Sequence, residues 1–187
     1  MLRKLAYVGM LTILALVCTQ MTFAQSGLGT TQAVTATANV YSQITLTNVN
    51  TVAFSNIAVN VNPFLDPTAV ASTNVGSAAT AGGFTVNASN NSTILVTWAG
   101  QGVLSDGAAH TMKFTPSVTY GGTQGSSTAY TTGVHKTLVG TTGVFWIGGT
   151  LYAADGTSVV PTSQTAGSYS TASAGGTPVT FTIDYVL

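Results

Sequence analysis

The last nine residues, Val179-Thr-Phe-Thr-Ile-Asp-Tyr-Val-Leu187, alternate apolar with polar side chains. Successive side chains of an extended chain point to opposite faces. Val179, Phe181, Ile183, Tyr185 and Leu187 therefore share one face, and Thr180, Thr182 and Asp184 take the other. The pattern predicts a half-buried β-strand. A terminus this apolar must find a partner sheet or become a point of aggregation. The rest of the chain is read as the sheet that receives it.

The available alphabet supports that reading. Only 4% of the residues are charged and none is Glu, against about a quarter in an average globular chain. The acids are Asp66, Asp106, Asp155 and Asp184, and the bases are Arg3, Lys4, Lys113 and Lys136. A helix with a solvated charged face cannot be written in these letters. Thr, Val, Tyr and Phe fit half-buried strands, while the 21 glycines, with Asn and Ser, supply turns. A hydrophobic fraction of 45%, arranged in alternation, argues against disorder.

The chain opens with the marks of export. Arg3 and Lys4 form a positive region, Leu5 to Val17 an apolar one, and Thr22-Phe23-Ala24 place small residues where a signal peptidase reads. This predicts a Sec signal peptide over 1–24, cut before Gln25, and delivery to the periplasm, cell surface or exterior. The apolar run is short for a membrane span. Val17 beside Cys18 departs from the Leu-x-Gly/Ala-Cys pattern of lipoprotein signals. Cys18 is the only cysteine, so the mature chain would hold neither a disulfide nor a thiolate metal site. Removing Arg3 and Lys4 leaves two Lys against four Asp, a charge of −2 with His neutral. That excludes a nucleic-acid binder, which needs clustered bases.

Residues 25–41 read as an N-terminal extension or a first strand, with Val34, Ala36, Ala38 and Val40 on one face. Residues 42–187 read as one β-sandwich domain. Ile44 and Leu46 continue the early alternation, and Asn48 to Asn50 predicts a turn. Strands are expected at Val52–Phe54, Ile57–Asn62, Ala69–Val75, Phe84–Val86 and Ile94–Trp98. Ser105-Asp106-Gly107 predicts a tight turn. Met112, Phe114, Val118 and Tyr120 alternate around Pro116, which predicts an edge or a bulge because proline has no N–H to donate. Gly121 to Gly143 shows little pattern beyond a strand near Tyr130. Phe145, Ile147 and Leu151 then share a face, with Trp146 and Tyr152 opposite. Residues 167–176 lead through Gly175-Gly176 into a last hairpin. Eight to ten short strands separated by turns predict an all-β antiparallel sandwich without helices.

Three stretches carry a resemblance. Ile147-Gly-Gly-Thr-Leu151 is followed by Gln164-x-Ala-Gly-Ser-Tyr169 and a terminal strand ending near Tyr185. Ile44-Thr-Leu-Thr and Val52-x-Phe54-x-x-Ile57 fit the same pattern upstream. Over about residues 40 to 187 the chain resembles a family of secreted bacterial domains of unknown function, related in pattern to spore-coat-U-like and fimbrial, pilin-like Ig-type sandwiches. It departs from that pattern in lacking a cysteine pair and in having Phe54-Ser55 where Phe-Gly is common. The resemblance implies a surface or fimbria-like structural subunit, with copies of itself, related subunits and a periplasmic chaperone as partners. It carries no catalytic residue across.

The residues that could do chemistry are few. A nucleophilic triad would have to come from His110, His135 and the four Asp, without a Gly-x-Ser-x-Gly elbow. Asp106 and His110 stand four apart, but across a turn, so their facing is not implied. The reading is a non-enzymatic protein with no cofactor and no metal site. Its candidate functional residues are the strand-addition segment Val34, Ala36, Ala38 and Val40, and the aromatics Trp98, Trp146 and Tyr152 as a glycan-stacking surface. In sandwiches such rings more often pack the core.

Overall fold

The computed structural model describes Ala38 and residues 40–187. The expected signal peptide, residues 1–24, and the positions Val34 and Ala36 lie outside the described residues. The fold is that of the unit Tyr41–Leu187. It is all-β, with antiparallel sheets packed face to face.

Its centre is the strand predicted around Phe145. Ten strands occur among the described residues: β1 (Thr45–Asn50), β2 (Phe64–Leu65), β3 (Gly82–Asn87), β4 (Thr93–Trp98), β5 (Gly102–Ser105), β6 (Thr111–Tyr120), β7 (Thr128–Tyr130), β8 (His135–Thr137), β9 (Thr142–Tyr152) and β10 (Phe181–Tyr185). The large sheet runs β1-β3-β9-β6-β5, with β2 added to β9 and β7 to β6. The small sheet runs β10-β4-β8. Phe145, Ile147 and Leu151 of β9 point inward to meet Ile94 and Val96 of β4 in one core. Phe145 is fully buried, with Phe84 stacked on it at 5.2 Å and Tyr120 and Tyr130 edge-on at 5.1 and 5.2 Å. Aromatic pairs in these geometries add about 0.5–1.5 kcal/mol each beyond the area they bury.

Where β9 passes from β3 to β2, Gly149 has a φ of +148°, and a Cβ there would strike the Thr115 carbonyl oxygen and the Phe114 ring. Only glycine fits that crossing. Pro116 pairs with Gly149 and lies inside an interior strand, not at a sheet edge. On the other side of β6, however, β5 begins opposite Phe114 and pairs only up to that residue, while β7 ends opposite Val118 and pairs only beyond it. Proline thus occupies a stretch of β6 that has a neighbour on one side only.

Other expectations change in the structure. The turn expected at Asn48–Asn50 is a bulge within β1: Asn48 adopts a φ of 51°, and the register with β3 shifts between Thr47 and Asn50. The strands expected across Val52–Asn62 are irregular segments tied by single bridges, Ala53 to Thr80 and Val61 to Val160. Left-handed Asn56 and Asn60, with φ of 47° and 59°, break the alternation there. Ala69–Val75 is a loop, because Asp66 draws the chain back by accepting the N–H groups of Thr68 and Ala71. Gly121–Gly143 is more ordered than its composition suggests and holds a 3-10 turn at Gln124–Ser126 together with β7 and β8. Residues 167–176 form no hairpin with the terminal strand. Ser170 and Thr177 bridge Ser105 and Val103 instead, covering the edge of β5.

Candidate functional site

The three candidate aromatics do not meet. Trp98 ends β4 on its inward face, in register with Phe181, and its ring lies 5.4 Å from Phe181 and 6.2 Å from Tyr130. It is core packing. The shared parity of Ile94, Val96 and Trp98 already carried that signal. Trp146 and Tyr152 do share the outer face of β9, but six residues at about 3.4 Å each hold them about 20 Å apart. Trp146 donates its indole N–H to the Gly121 carbonyl at 2.9 Å. Beside cross-strand Gly83 it forms one wall of a groove of about 290 Å³ that also presents Asn48, Asn50 and Thr85. This groove was not visible in the sequence, because its asparagines arrive through the β1 bulge.

Three of the four acids, Asp66, Asp106 and Asp155, are occupied in turns. The turn after β5 folds His110 back onto Asp106, with Nδ1 and Oδ2 2.6 Å apart, a pairing the i,i+4 spacing alone did not imply. Asp106 also accepts the Ala108 N–H, and the His110 hydrogen bond is the largest influence holding its carboxyl below the usual range. Neighbouring Ser105 is buried, and its hydroxyl donates to the Ala174 carbonyl at 2.6 Å, so it is unavailable to His110 as a nucleophile. Asp155 accepts from the Ser158 hydroxyl and from the N–H groups of Thr157 and Ser158, which hold its pKa down to about 2. Among the described residues no three His, Cys, Asp or Glu converge as a metal would require.

A second concavity, of about 640 Å³, opens between residues 52–59 and 164–169, with Leu104, Met112 and Leu151 at its floor. Phe54 on its wall lies edge-on to Phe114 at 5.7 Å. Across it, Tyr169 donates its hydroxyl to the Thr165 carbonyl at 2.8 Å and accepts from the Gln164 amide at 2.7 Å. Apart from these two residues, its walls are mainly apolar side chains.

What the arrangement does present is strand edges. Of the proposed strand-addition residues, Ala38 and Val40 are exposed and belong to no strand. Among the described residues β1 pairs only with β3, and β10 only with β4. Tyr185 anchors the chain's entry to β10: its ring lies 4.8 Å from Tyr41, and its hydroxyl donates to the Ser42 carbonyl and accepts the Ser89 N–H, each at 2.7 Å. No family model matches this chain, and neither a curated protein nor a solved structure matches it.

Proposed function

We propose that the chain is an exported structural or adhesive subunit of a bacterial surface, fimbria-like in character, that assembles by β-strand addition. The observation that carries this reading is the contrast between spent chemistry and open edges. The carboxylates of Asp66, Asp106 and Asp155 are engaged in their own turns, while β1 and β10 each lack a second strand neighbour among the described residues. An added strand completes such an edge through main-chain hydrogen bonds, and alternate side chains supply specificity. Val34, Ala36, Ala38 and Val40 have the alternation a donor needs. Its partners are then other copies or related subunits, with a periplasmic chaperone shielding the edge during export. Electron microscopy of the secreted protein should show filaments. Deleting residues 25–40 should abolish them and leave the circular dichroism of a folded sheet protein. Unfolding on that deletion would mean that the segment closes the domain's own sheet.

The groove beside Trp146 favours a second reading, a carbohydrate- or matrix-binding module, because an indole flanked by the amides of Asn48 and Asn50 offers both stacking and hydrogen bonding. Glycan-array binding that is lost on Trp146→Ala with the fold intact would support it. Binding unchanged by that substitution would remove Trp146 from the account.

A further inference from the structure

We propose that the open edge of β10 is a homodimer interface, where two copies pair their terminal strands antiparallel about Ile183 and join their small sheets into one. The proposal uses only residues of the folded unit and stands apart from the donor-segment reading.

The hydrogen bonds fix which backbone groups are free. The Val186 N–H donates to the Thr93 carbonyl, toward β4. Backbone groups of successive residues point to alternate edges of a strand, so Thr182 and Asp184 also face β4. The far side of β4 shows the same alternation: Val96 accepts the Gly133 N–H, and Trp98 donates to the Thr132 hydroxyl. Phe181, Ile183 and Tyr185 therefore turn both N–H and C=O to the open side. Among the described residues none of these groups has a backbone partner.

The other main edges are less open to a flat, continuous pairing than that of β10. That of β5 is covered by the bridges to Ser170 and Thr177. β1 is bent by its bulge at Asn48. β8 has three residues and points Lys136 inward, with Nζ 4.2 Å from the centre of the Tyr120 ring. Inward charges and bulges are ways in which natural sheets block edge pairing. β10 has neither.

The β10 sequence is complementary to itself. With Ile183 opposite its own copy, Phe181 faces Tyr185 and Thr182 faces Asp184. The residues that exchange both hydrogen bonds are then Phe181, Ile183 and Tyr185, so every outward group finds a partner. Other antiparallel registers leave some of them unpaired within the strand. No like charges oppose each other, and the Thr182 hydroxyl can donate to the Asp184 carboxylate. Phe181 and Tyr185 make an aromatic cross-strand pair of a favourable kind. Tyr41, packed on Tyr185 and 41% exposed, and Leu187, 96% exposed, add apolar surface beside the strand for the partner to cover. The contact is isologous, so it closes as a twofold dimer, and filament growth needs another edge.

Thr182 is exposed and its side chain lies off the core, which makes it the probe. Sedimentation equilibrium of protein expressed from the full-length chain should give a monomer–dimer equilibrium. Thr182→Asp sets two like-charge pairs across the dimer axis and should raise the dimer Kd about tenfold. Thr182→Lys should lower it several-fold. The double variant Thr182→Asp with Asp184→Lys should bind at least as tightly as the parent, and it keeps the sign test available if the single Asp variant misfolds. A protein that is monomeric at every concentration overturns the proposal. So do Thr182→Asp and Thr182→Lys shifting Kd in the same direction, or a dimer indifferent to both.

Discussion

β8 and β10 flank the same strand, β4, and meet the same core, yet they end the small sheet in different ways. β8 is three residues long and turns a lysine inward. β10 has five residues, Phe-Thr-Ile-Asp-Tyr, with its one charge on the outer face. In a chain with 4% charged residues, ionic gatekeepers are scarce. Lys136 is one of four bases in the whole sequence, and it guards β8. The remaining edges must be managed by the path of the backbone, as at β5 and β1, or be left open. The difference teaches that edge protection here is assigned strand by strand and does not follow from the overall fold.

The largest expected effect tests whether the two edges share one stability. Phe145 of the large sheet touches Phe84, Tyr120 and Tyr130 and shares one buried core with Ile94 and Val96 of the small sheet. Phe145→Ala should cost about 3–5 kcal/mol, measured by urea unfolding. Amide protection in β8 and β10 should fall together. If one strand keeps its protection, the edges belong to separate cooperative units, and their contrast is one of stability and not of blocking.

Tyr185→Phe comes next and weakens β10 alone. It removes hydrogen bonds to the Ser42 carbonyl and the Ser89 N–H. At about 1 kcal/mol each, the loss should be about 1–2 kcal/mol, with exchange accelerated near Ser42 and in β10 but not in β8.

The long strands were legible because their alternation is unbroken. Phe84 and Val86, Ile94 and Val96, and Phe145, Ile147 and Leu151 all fall on the inward face that their parity indicates. Val52–Asn62 failed because Asn56 and Asn60 adopt left-handed backbones that a hydrophobic pattern does not announce. The edge contrast was also hidden. Whether Lys136 points inward depends on its register opposite Ile94, a pairing between residues forty-two positions apart in the chain. The Asp106–His110 contact was hidden by turn geometry, whereas the packing role of Trp98 was readable from parity.

Removing the guard from β8 should have a smaller energetic effect and a clear behavioural one. Lys136→Leu gives up a cation–π contact worth about 0.5–1 kcal/mol at a partly exposed site. It should also increase association through β8, read as concentration-dependent light scattering in excess of the parent's. Equal scattering from Lys136→Leu and the parent would mean that the brevity of β8, and not its lysine, blocks the edge.

The smallest effect is a control far in sequence from both edges. In the Ala154–Ser158 turn the Ser158 hydroxyl, followed by the N–H groups of Thr157 and Ser158, favours the ionised form of Asp155 and lowers its pKa from 3.8 to about 2. A carboxyl depressed by folding stabilises the native state fully above its unfolded pKa. That contribution fades as pH falls from 3.8 through about 2. The Asp155 carboxyl carbon, followed by NMR, should titrate near the lower value, and Asp155→Asn should flatten the acid limb of the stability curve over that interval. Because the carboxylate is solvent-exposed, the change should stay small. Protection in β8 and β10 should retain its ordering throughout. If acidification through this window instead equalised exchange at the two edges, the contrast between them would depend on the chain's few carboxylates and not on Lys136 and the open backbone of β10.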